Sequence, residues 1–304
     1  WVANGKGMTS LANPFGPSPI RRKEEVIHHG FSTKDPSQVE YIGGLFKGTM
    51  SIIDLPNQSS LDTYTKAVYA NAAYSQAKAE NADVNAPTFP IPMKVGSPSP
   101  IKHVFYIIKE NRTYDQVLAD VKGGNGDTSL LLFGKNITPN QHKLAESFVL
   151  LDNFYVDAEV SADGHNWSMG AYANDYLEKT WPTSYGSRGG TYGGEGEREI
   201  ANNKGGFIWN NCFRYGVSFR TYGEFISGDK PTLKILDNNY CSYFPTYGLN
   251  IADTTRFRLW KQDFDSLLKL NKVPQFNTVR FGNDHTEGIR LGRPTPYAHV
   301  ADND

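Results

Sequence analysis

One stretch, Ile101 to Leu118, constrains the fold of this chain more than any other. It contains Val104 to Ile108, an unbroken run of β-branched and aromatic residues. Such a run predicts a strand buried on both faces of a parallel sheet, because a half-exposed strand would alternate apolar and polar residues. The run stops abruptly at Lys109, where a series of polar residues begins.

These polar residues fall where a strand ends and a helix begins. Thr113 and Gln116 have the spacing of a capping box, which predicts a helix that opens at Thr113. Glu110 and Asn111 therefore lie at the carboxyl end of the strand, where open α/β sheets bind ligands. Two adjacent oxygen-bearing side chains suit a hard divalent cation. A salt bridge made by Glu110 and a turn capped by Asn111 would give the same pattern.

The remainder of the C-terminal part alternates between strand and helix patterns. The predicted strands are Phe148 to Leu151, Val217 to Tyr222 and Thr278 to Phe281, and the predicted helices are Phe207 to Tyr215 and Thr255 to Leu270, with Asp163 to Glu178 as a loop entering a helix. This alternation predicts an α/β fold with a doubly wound, mostly parallel sheet. The irregular, Gly-rich segment from Trp181 to Arg198 is long enough to cover an active site.

The first hundred residues have a different character. The sequence pattern of residues 1–57 predicts β structure. It predicts a strand at Trp1 to Ala3 and a hairpin formed by Tyr41 to Phe46 and Thr49 to Leu55. Residues 58–100 predict a helix, Ser60 to Glu80, and an extended linker that carries five prolines between Ala86 and Ile101. We therefore place the domain boundary at the linker and assign residues 101–304 to the domain that follows.

Length and composition set limits on function. With 304 residues, the chain exceeds the usual size of one domain. A formal net charge of -1 gives no broad electrostatic case for binding nucleic acid or an anionic membrane, and no apolar run approaches a membrane span. Cys212 and Cys241 either form one disulfide, if the protein is exported, or are two unrelated buried thiols.

Three clusters of polar residues follow predicted strands and can converge at one edge of a parallel sheet. They are Glu110-Asn111, Asp163-Gly164-His165-Asn166 and Asp284-His285. Carboxylates, an amide oxygen and an imidazole together suit Zn, Mn, Fe or Mg. A metal at such an edge would polarise a phosphoryl oxygen. Asp302 and Asp304, near the end of the sequence, are expected to cap the next helix.

Three motifs in this part resemble a known family. KENRTYDQVL resembles the ENRS/T-F/Y-D opening motif of the phosphoesterase family that includes bacterial phospholipase C and acid phosphatase A, within the alkaline phosphatase superfamily. NDHTEG is similar to the superfamily's Asp-His metal motif, and GHNW resembles the segment that holds the family's hydroxyl nucleophile. The resemblance implies that Glu110, Asn111, Asp284 and His285 bind a divalent metal ion: Zn, Mn, Fe, Mg or Ca.

The segment YIGGLFKGTMSIIDLP resembles the last blade of the β-propeller that precedes this domain in one bacterial subgroup. The resemblance implies an alkaline phosphatase-like domain preceded by a partial all-β propeller, in a periplasmic or otherwise exported protein. A protein partner could then bind through the propeller. The family's domain continues beyond the position that corresponds to Asp304 with a further metal motif, so residues 101–304 are expected to be an incomplete domain.

The position equivalent to the nucleophile is Asn166, whose amide cannot attack phosphorus. We expect His165 and Asn166 to contact the transferring phosphoryl group, and either a nearby serine (Ser161 or Ser168) or a water held by the metal to attack. The expected function is metal-dependent hydrolysis of a small phosphate ester or a phospholipid headgroup. The alternative is a catalytically silent binding or assembly module that retains the fold.

Overall fold

The computed structural model describes residues 1–5, 19–20, 48–72, 90–92, 97–185 and 188–304. The chain divides into two compact units. The first comprises Trp1–Leu11 and Phe46–Val104, and the second comprises Ala12–Leu45 and Phe105–Asp304. None of the helices in the described ranges is both long enough and apolar enough to cross a membrane.

In the first unit, two short strands form an antiparallel pair. Strand β1 (Val2–Asn4) lies beside β2 (Thr49–Ser51), and helix α1 (Gln58–Asn71) follows. Asn57 caps α1, because its Oδ1 accepts a hydrogen bond from the N–H of Ser60 at 2.9 Å. The other predicted hairpin strand, Tyr41 to Phe46, and most of the proline-rich linker lie outside the described residues. The propeller therefore remains a prediction.

The second unit is mixed α/β. Its strands are β3 (Val104–Lys109, which enters the unit at Phe105), β4 (Phe219–Tyr222), β5 (Ile226–Ser227), β6 (Lys230–Pro231) and β7 (Phe276–Phe281). Its helices are α2 (Tyr114–Leu118), α3 (Pro139–Ser147), α4 (Ser161–Gly170), α5 (Asp175–Tyr185), α6 (Ile208–Arg214), α7 (Asp253–Lys269) and α8 (Pro296–Asn303).

Three parallel strands form the sheet that positions the site, in the order β3-β7-β4. On one face, Phe219 and Phe276 pack with Met169 of α4 and Trp209 of α6. On the opposite face, side chains of β4 and β7 pack against α7; they belong to a cluster that includes Tyr222, Val279, Leu259 and Trp260. The prediction of an α/β fold with a parallel sheet flanked by helices is confirmed, and the doubly wound topology stays a prediction.

The alternation of side chains along the strands explains how charged groups reach one layer. Arg280 lies four residues after Phe276, so it faces the side of the sheet on which α4 packs. Glu110 lies two residues after Ile108, which also packs on that side. Both side chains therefore extend from the carboxyl ends of neighbouring strands toward α4.

Most predicted elements of the second unit are present. The predicted strands at Val104, Val217 and Thr278 correspond to β3, β4 and β7, and two predicted helices correspond to α6 and α7. Asn271 follows α7 with φ 53°, in the left-handed region that commonly ends a helix.

The burial predicted for β3 was wrong. Val104, Phe105, Tyr106 and Ile107 are 39 to 54% exposed. The reason is the position of β3 at the edge of the described sheet, where it pairs with β7 alone. An apolar run reveals that a segment suits a strand, but it does not reveal how many neighbours the strand has.

Two further local predictions were also wrong. Phe148 to Leu151 is irregular, and Phe148 and Val149 are 74% and 82% exposed. The described residues contain no strand that pairs with this run, and an unpaired strand leaves its backbone without ladder hydrogen bonds. The capping box is absent because the Thr113 side chain makes no cap hydrogen bond, and Gln116 Oε1 instead accepts from Arg112 Nη1 at 3.4 Å.

The two cysteines are free thiols. Cys212 packs on the cluster around Trp209, whereas Cys241 belongs to the cluster around Tyr222. Burial raises the pKa of both thiols. The sequence left open a disulfide or two unrelated thiols, and the structure has two unrelated thiols.

Candidate metal centre

Helix α4 carries three buried polar side chains. It begins at Ser161, whereas the sequence predicted that Asp163 to Glu178 opens with a loop, so Asp163, His165 and Asn166 all lie within the helix. Their exposed fractions are 0%, 4% and 0%. The helix ends at Gly170, and its C-cap Ala171 has φ 61° and donates its N–H to the carbonyl of Trp167 at 2.8 Å.

His165 lies between two buried carboxylates. Its Nε2 is 2.9 Å from Glu110 Oε2, and its Nδ1 is 2.8 Å from Glu224 Oε1. Both partners accept hydrogen bonds, so both ring nitrogens donate and the imidazole is cationic. Burial alone would lower the pKa of His165, but Glu224 and Glu110 raise it to about 10. Burial raises the pKa of Glu110, yet His165 and Arg280 together lower it to about 2.

Arg280 completes this buried network. Its Nε donates to Glu110 Oε1 at 2.5 Å, and its Nη1 donates to Glu195 Oε2 at 2.7 Å and lies 3.8 Å from Glu224 Oε2. Its Nη2 is 3.1 Å from His165 Nε2. Because both nitrogens of this last contact carry protons, it brings two cations together, and the surrounding carboxylates offset the repulsion.

Among the described residues, one group of histidine and acidic side chains could hold a metal ion. It consists of His165, Glu195 and Glu224, whose candidate ligand atoms lie within 4.8 Å of one another. Glu224 is fully buried, and its Oε2 has no hydrogen-bond partner in the described part of the chain. A buried carboxylate oxygen without a hydrogen bond is costly, and the Arg280 guanidinium approaches this oxygen only to 3.8 Å, so a bound cation fits this position. One imidazole with two carboxylates suits Zn, Mn or Fe.

A cavity of about 340 Å³ borders this group. Glu195 and Arg280 line it together with the side chains of Tyr192 and Tyr247. The Arg280 guanidinium carbon lies 4.8 Å from the centre of the Tyr247 ring. Burial and the nearby Glu110 raise the pKa of Tyr247 to about 12, so its hydroxyl is protonated at neutral pH.

The structure brings only some of the predicted site residues together. Glu110 and His165 are hydrogen-bonded, and Asn111 lies half-buried next to Glu110. Asp284 is buried, and its Oδ1 has no hydrogen-bond partner among the described residues. His285 is exposed, with its Nδ1 2.9 Å from the carbonyl of Thr286.

Asp284 and His285 lie outside the His165–Glu195–Glu224 group. Arg112 holds their backbone, because its Nε donates to the carbonyl of Asp284 at 2.6 Å and its Nη2 to that of His285 at 2.5 Å. Burial raises the pKa of the Asp284 carboxyl to about 6, although Lys109 and Arg112 oppose the rise.

Sequence reasoning did not select Glu195, Glu224 or Arg280. Glu224 comes two residues after the strand predicted to end at Tyr222, so the rule applied to the other strand ends would have found it. Arg280 is a charged residue within an apolar strand, and Glu195 is flanked by glycines in the segment predicted to cover the site. Neither pattern identifies its partner.

Comparisons of the chain with protein-family models, with curated proteins and with solved structures found no match. The resemblance to the phosphoesterase family therefore depends on the sequence motifs alone.

Proposed function

We propose that the second unit hydrolyses phosphate esters with a divalent metal ion held by His165, Glu195 and Glu224. The observation that carries this proposal is the buried imidazole between carboxylates, beside a cavity and with one carboxylate oxygen that accepts no hydrogen bond from the described residues. The ENRTYD and NDHTEG motifs favour the same class of reaction. On this proposal, the sheet is the core of an alkaline phosphatase-like, doubly wound domain that follows a propeller in an exported protein.

The protein side chains have distinct roles in this proposal. The Nε2–H of His165 donates to Glu110, and Nδ1 lies on the side of Glu224. An ion bound by Nδ1 would therefore have to displace the proton that Nδ1 shares with Glu224. Through its hydrogen bond with Nε2, Glu110 orients the imidazole, as carboxylates commonly do for metal-binding histidines. Arg280, at the cavity, offers a guanidinium that suits phosphoryl oxygens.

A bound divalent ion polarises phosphoryl oxygens and lowers the pKa of a water. Water is the proposed nucleophile, because Asn166 is an amide and is fully buried. The resemblance also implies ligands at Asn111, Asp284 and His285. The unpaired, buried Oδ1 of Asp284 is compatible with a further cation there.

A specific observation favours the alternative, a catalytically silent binding module. Arg280 and the cationic His165 already supply positive charge to Glu110, Glu195 and Glu224. This network can therefore stabilise the fold as a set of ion pairs without any metal.

Hydrolysis of an aryl phosphate by the purified chain, with Zn²⁺, Mn²⁺, Mg²⁺ or Ca²⁺ added in turn, distinguishes the two functions. We expect turnover with at least one ion and a decrease of about 100-fold or more in Glu224→Gln, because loss of an outer-sphere partner alone costs about 10- to 100-fold. Glu199→Gln replaces an exposed carboxylate on the nearby segment and should retain wild-type activity.

Glu110→Ala and Asp284→Ala test the contributions of the two strand ends. Loss of activity in both variants would place the carboxyl ends of β3 and β7 in the active site. Loss in Glu110→Ala alone would restrict the active site to the His165 network. A folded wild-type protein with no turnover under any of the four ions would exclude the enzyme and favour the binding module.

A further inference from the structure

Glu195 has an unusual backbone conformation for a residue that could bind a metal. Its φ is 53°, in the left-handed region that side-chain-bearing residues seldom adopt. It lies between Gly194 and Gly196, and Gly196 also has a positive φ, 79°. Such a conformation costs free energy and persists only where the surroundings hold it.

Two side chains hold the peptide groups on either side of Glu195. The N–H of Glu195 donates to Asn166 Oδ1 at 3.1 Å, and its carbonyl accepts from Thr232 Oγ1 at 2.6 Å. Asn166 is fully buried on α4, so its acceptor is fixed in place. The Thr232 hydroxyl is also 3.0 Å from the carbonyl of Phe225, the residue before β5, which anchors the hydroxyl there.

The close packing at Gly196 shows how tightly this turn sits against Thr232. A Cβ atom at position 196 would lie 2.6 Å from Thr232 Oγ1 and 2.9 Å from a side-chain carbon of Leu233. Only glycine fits there. The turn is therefore fixed from two directions, by α4 through Asn166 and by the 225–233 segment through Thr232.

We propose that Asn166 and Thr232 are positioning residues that hold Glu195 in the conformation from which its carboxylate joins His165 and Glu224. This inference rests on the metal site of the proposed function. It gives Asn166 a role at the position where the resemblance places a nucleophile. Helix α4 then supplies the imidazole of His165, and its next residue, Asn166, holds the backbone of Glu195 so that the Glu195 carboxylate is in position.

The test compares Thr232→Val, which keeps the shape but removes the hydroxyl, with Thr232→Ser, which keeps the hydroxyl. Zn²⁺ dissociation constants would be measured by competition with a chromophoric chelator, and unfolding of the metal-free proteins would be measured in EDTA. We expect Zn²⁺ binding to weaken about 10- to 100-fold in Thr232→Val, the range for outer-sphere partners, and to remain near wild type in Thr232→Ser.

A second pair tests the other hydrogen bond. Asn166→Leu removes the acceptor at nearly constant volume, and Asn166→Asp retains an oxygen that accepts the N–H of Glu195. We expect weaker Zn²⁺ binding in the first variant and wild-type or tighter binding in the second. Because the two pairs lie on different segments, failure of one variant to fold leaves the other as the test.

The outcomes separate this inference from the proposed function. A purely structural role would lower the unfolding temperature of the metal-free variants and leave the Zn²⁺ dissociation constant unchanged, which would overturn the inference while the metal site stands. A folded wild-type protein that binds no Zn²⁺ would overturn the metal site, and the inference with it.

Discussion

Arg280 already pairs with the carboxylates that a divalent ion would bind. Its guanidinium nitrogens lie 2.7 to 3.8 Å from atoms of His165, Glu195 and Glu224. The side chain is 8% exposed, so water screens its charge poorly. Arg280 should therefore stabilise the metal-free protein and weaken the binding of a metal.

Replacing Arg280 with methionine tests this competition, since methionine has similar length and no charge. We expect the metal-free variant to lose about 3–5 kcal/mol of stability, as when one partner of a buried ion pair is removed. We also expect Zn²⁺ to bind more tightly and phosphate ester turnover to fall. Urea unfolding in EDTA, a Zn²⁺ titration and the aryl phosphate assay measure the three effects.

Arg290→Met is a matched control, because the Arg290 side chain is 66% exposed. It should leave both stability and Zn²⁺ affinity close to wild type. Weaker Zn²⁺ binding in Arg280→Met than in this control would contradict the competition and would indicate that Arg280 supports the metal ligands.

At the scale of elements, carboxylates near the end of the sequence cap helices that lie earlier in the chain. Asp302 of α8 accepts from the N–H of Asp253 at 2.6 Å and from Thr254 Oγ1 at 2.8 Å, at the start of α7. Asp304 accepts from the N–H groups of Asn140 and Gln141 at 2.9 and 2.8 Å, at the start of α3. The sequence predicted the capping role but assigned it to the next helix.

Asp302→Ala should destabilise α7 through loss of this cap. We expect a loss of about 1–2 kcal/mol in the free energy of unfolding, because an N-terminal carboxylate satisfies a free N–H and interacts favourably with the helix dipole. Asp302→Asn should lose less, since it retains one acceptor oxygen. Urea denaturation of the metal-free protein measures both values.

Asp265→Ala is the control on the same helix. Asp265 pairs with Lys261 at the surface, where such a pair contributes about 0.3–0.5 kcal/mol. If Asp302→Ala cost no more than Asp265→Ala, the cap would make no special contribution to α7.

The elements predicted from sequence are those with a strong local signal. The apolar run at Val104 and the amphipathic stripe of Thr255 to Leu270 each determine a secondary structure by themselves. Phe148 to Leu151 has a comparable apolar composition, yet its outcome depends on a pairing partner that no local pattern specifies. The same limit explains the exposure of β3 and the caps supplied by Asp302 and Asp304.

The candidate site likewise contains residues that a local pattern identifies and residues whose contacts depend on the whole fold. Glu110 and His165 were selected because each lies in a motif at a predicted strand end. Their contact spans 55 residues, and those of Arg280 with Glu195 and His165 span 85 and 115 residues. Such contacts arise only when the sheet order and the packing of α4 are known, so the network around Arg280 could not be predicted.

At the scale of the molecule, the candidate metal-binding group joins three distant segments of the second unit. His165 comes from α4, Glu195 from the glycine-rich turn, and Glu224 from the chain just after β4. In the unfolded chain these side chains are far apart. An ion that binds the group therefore binds the folded state selectively and must raise its stability.

Zn²⁺ at about 100 times its dissociation constant should stabilise the folded protein by about 2.7 kcal/mol. For a unit of this size, that gain corresponds to an increase of about 5–10 °C in unfolding temperature. Scanning calorimetry with Zn²⁺ and with EDTA measures the increase, and Glu224→Gln, which removes one ligand, should show little of it. An equal increase in Glu224→Gln would mean that the ion binds elsewhere on the chain, and hydrogen bonds and ion pairs would then join the three segments without a metal.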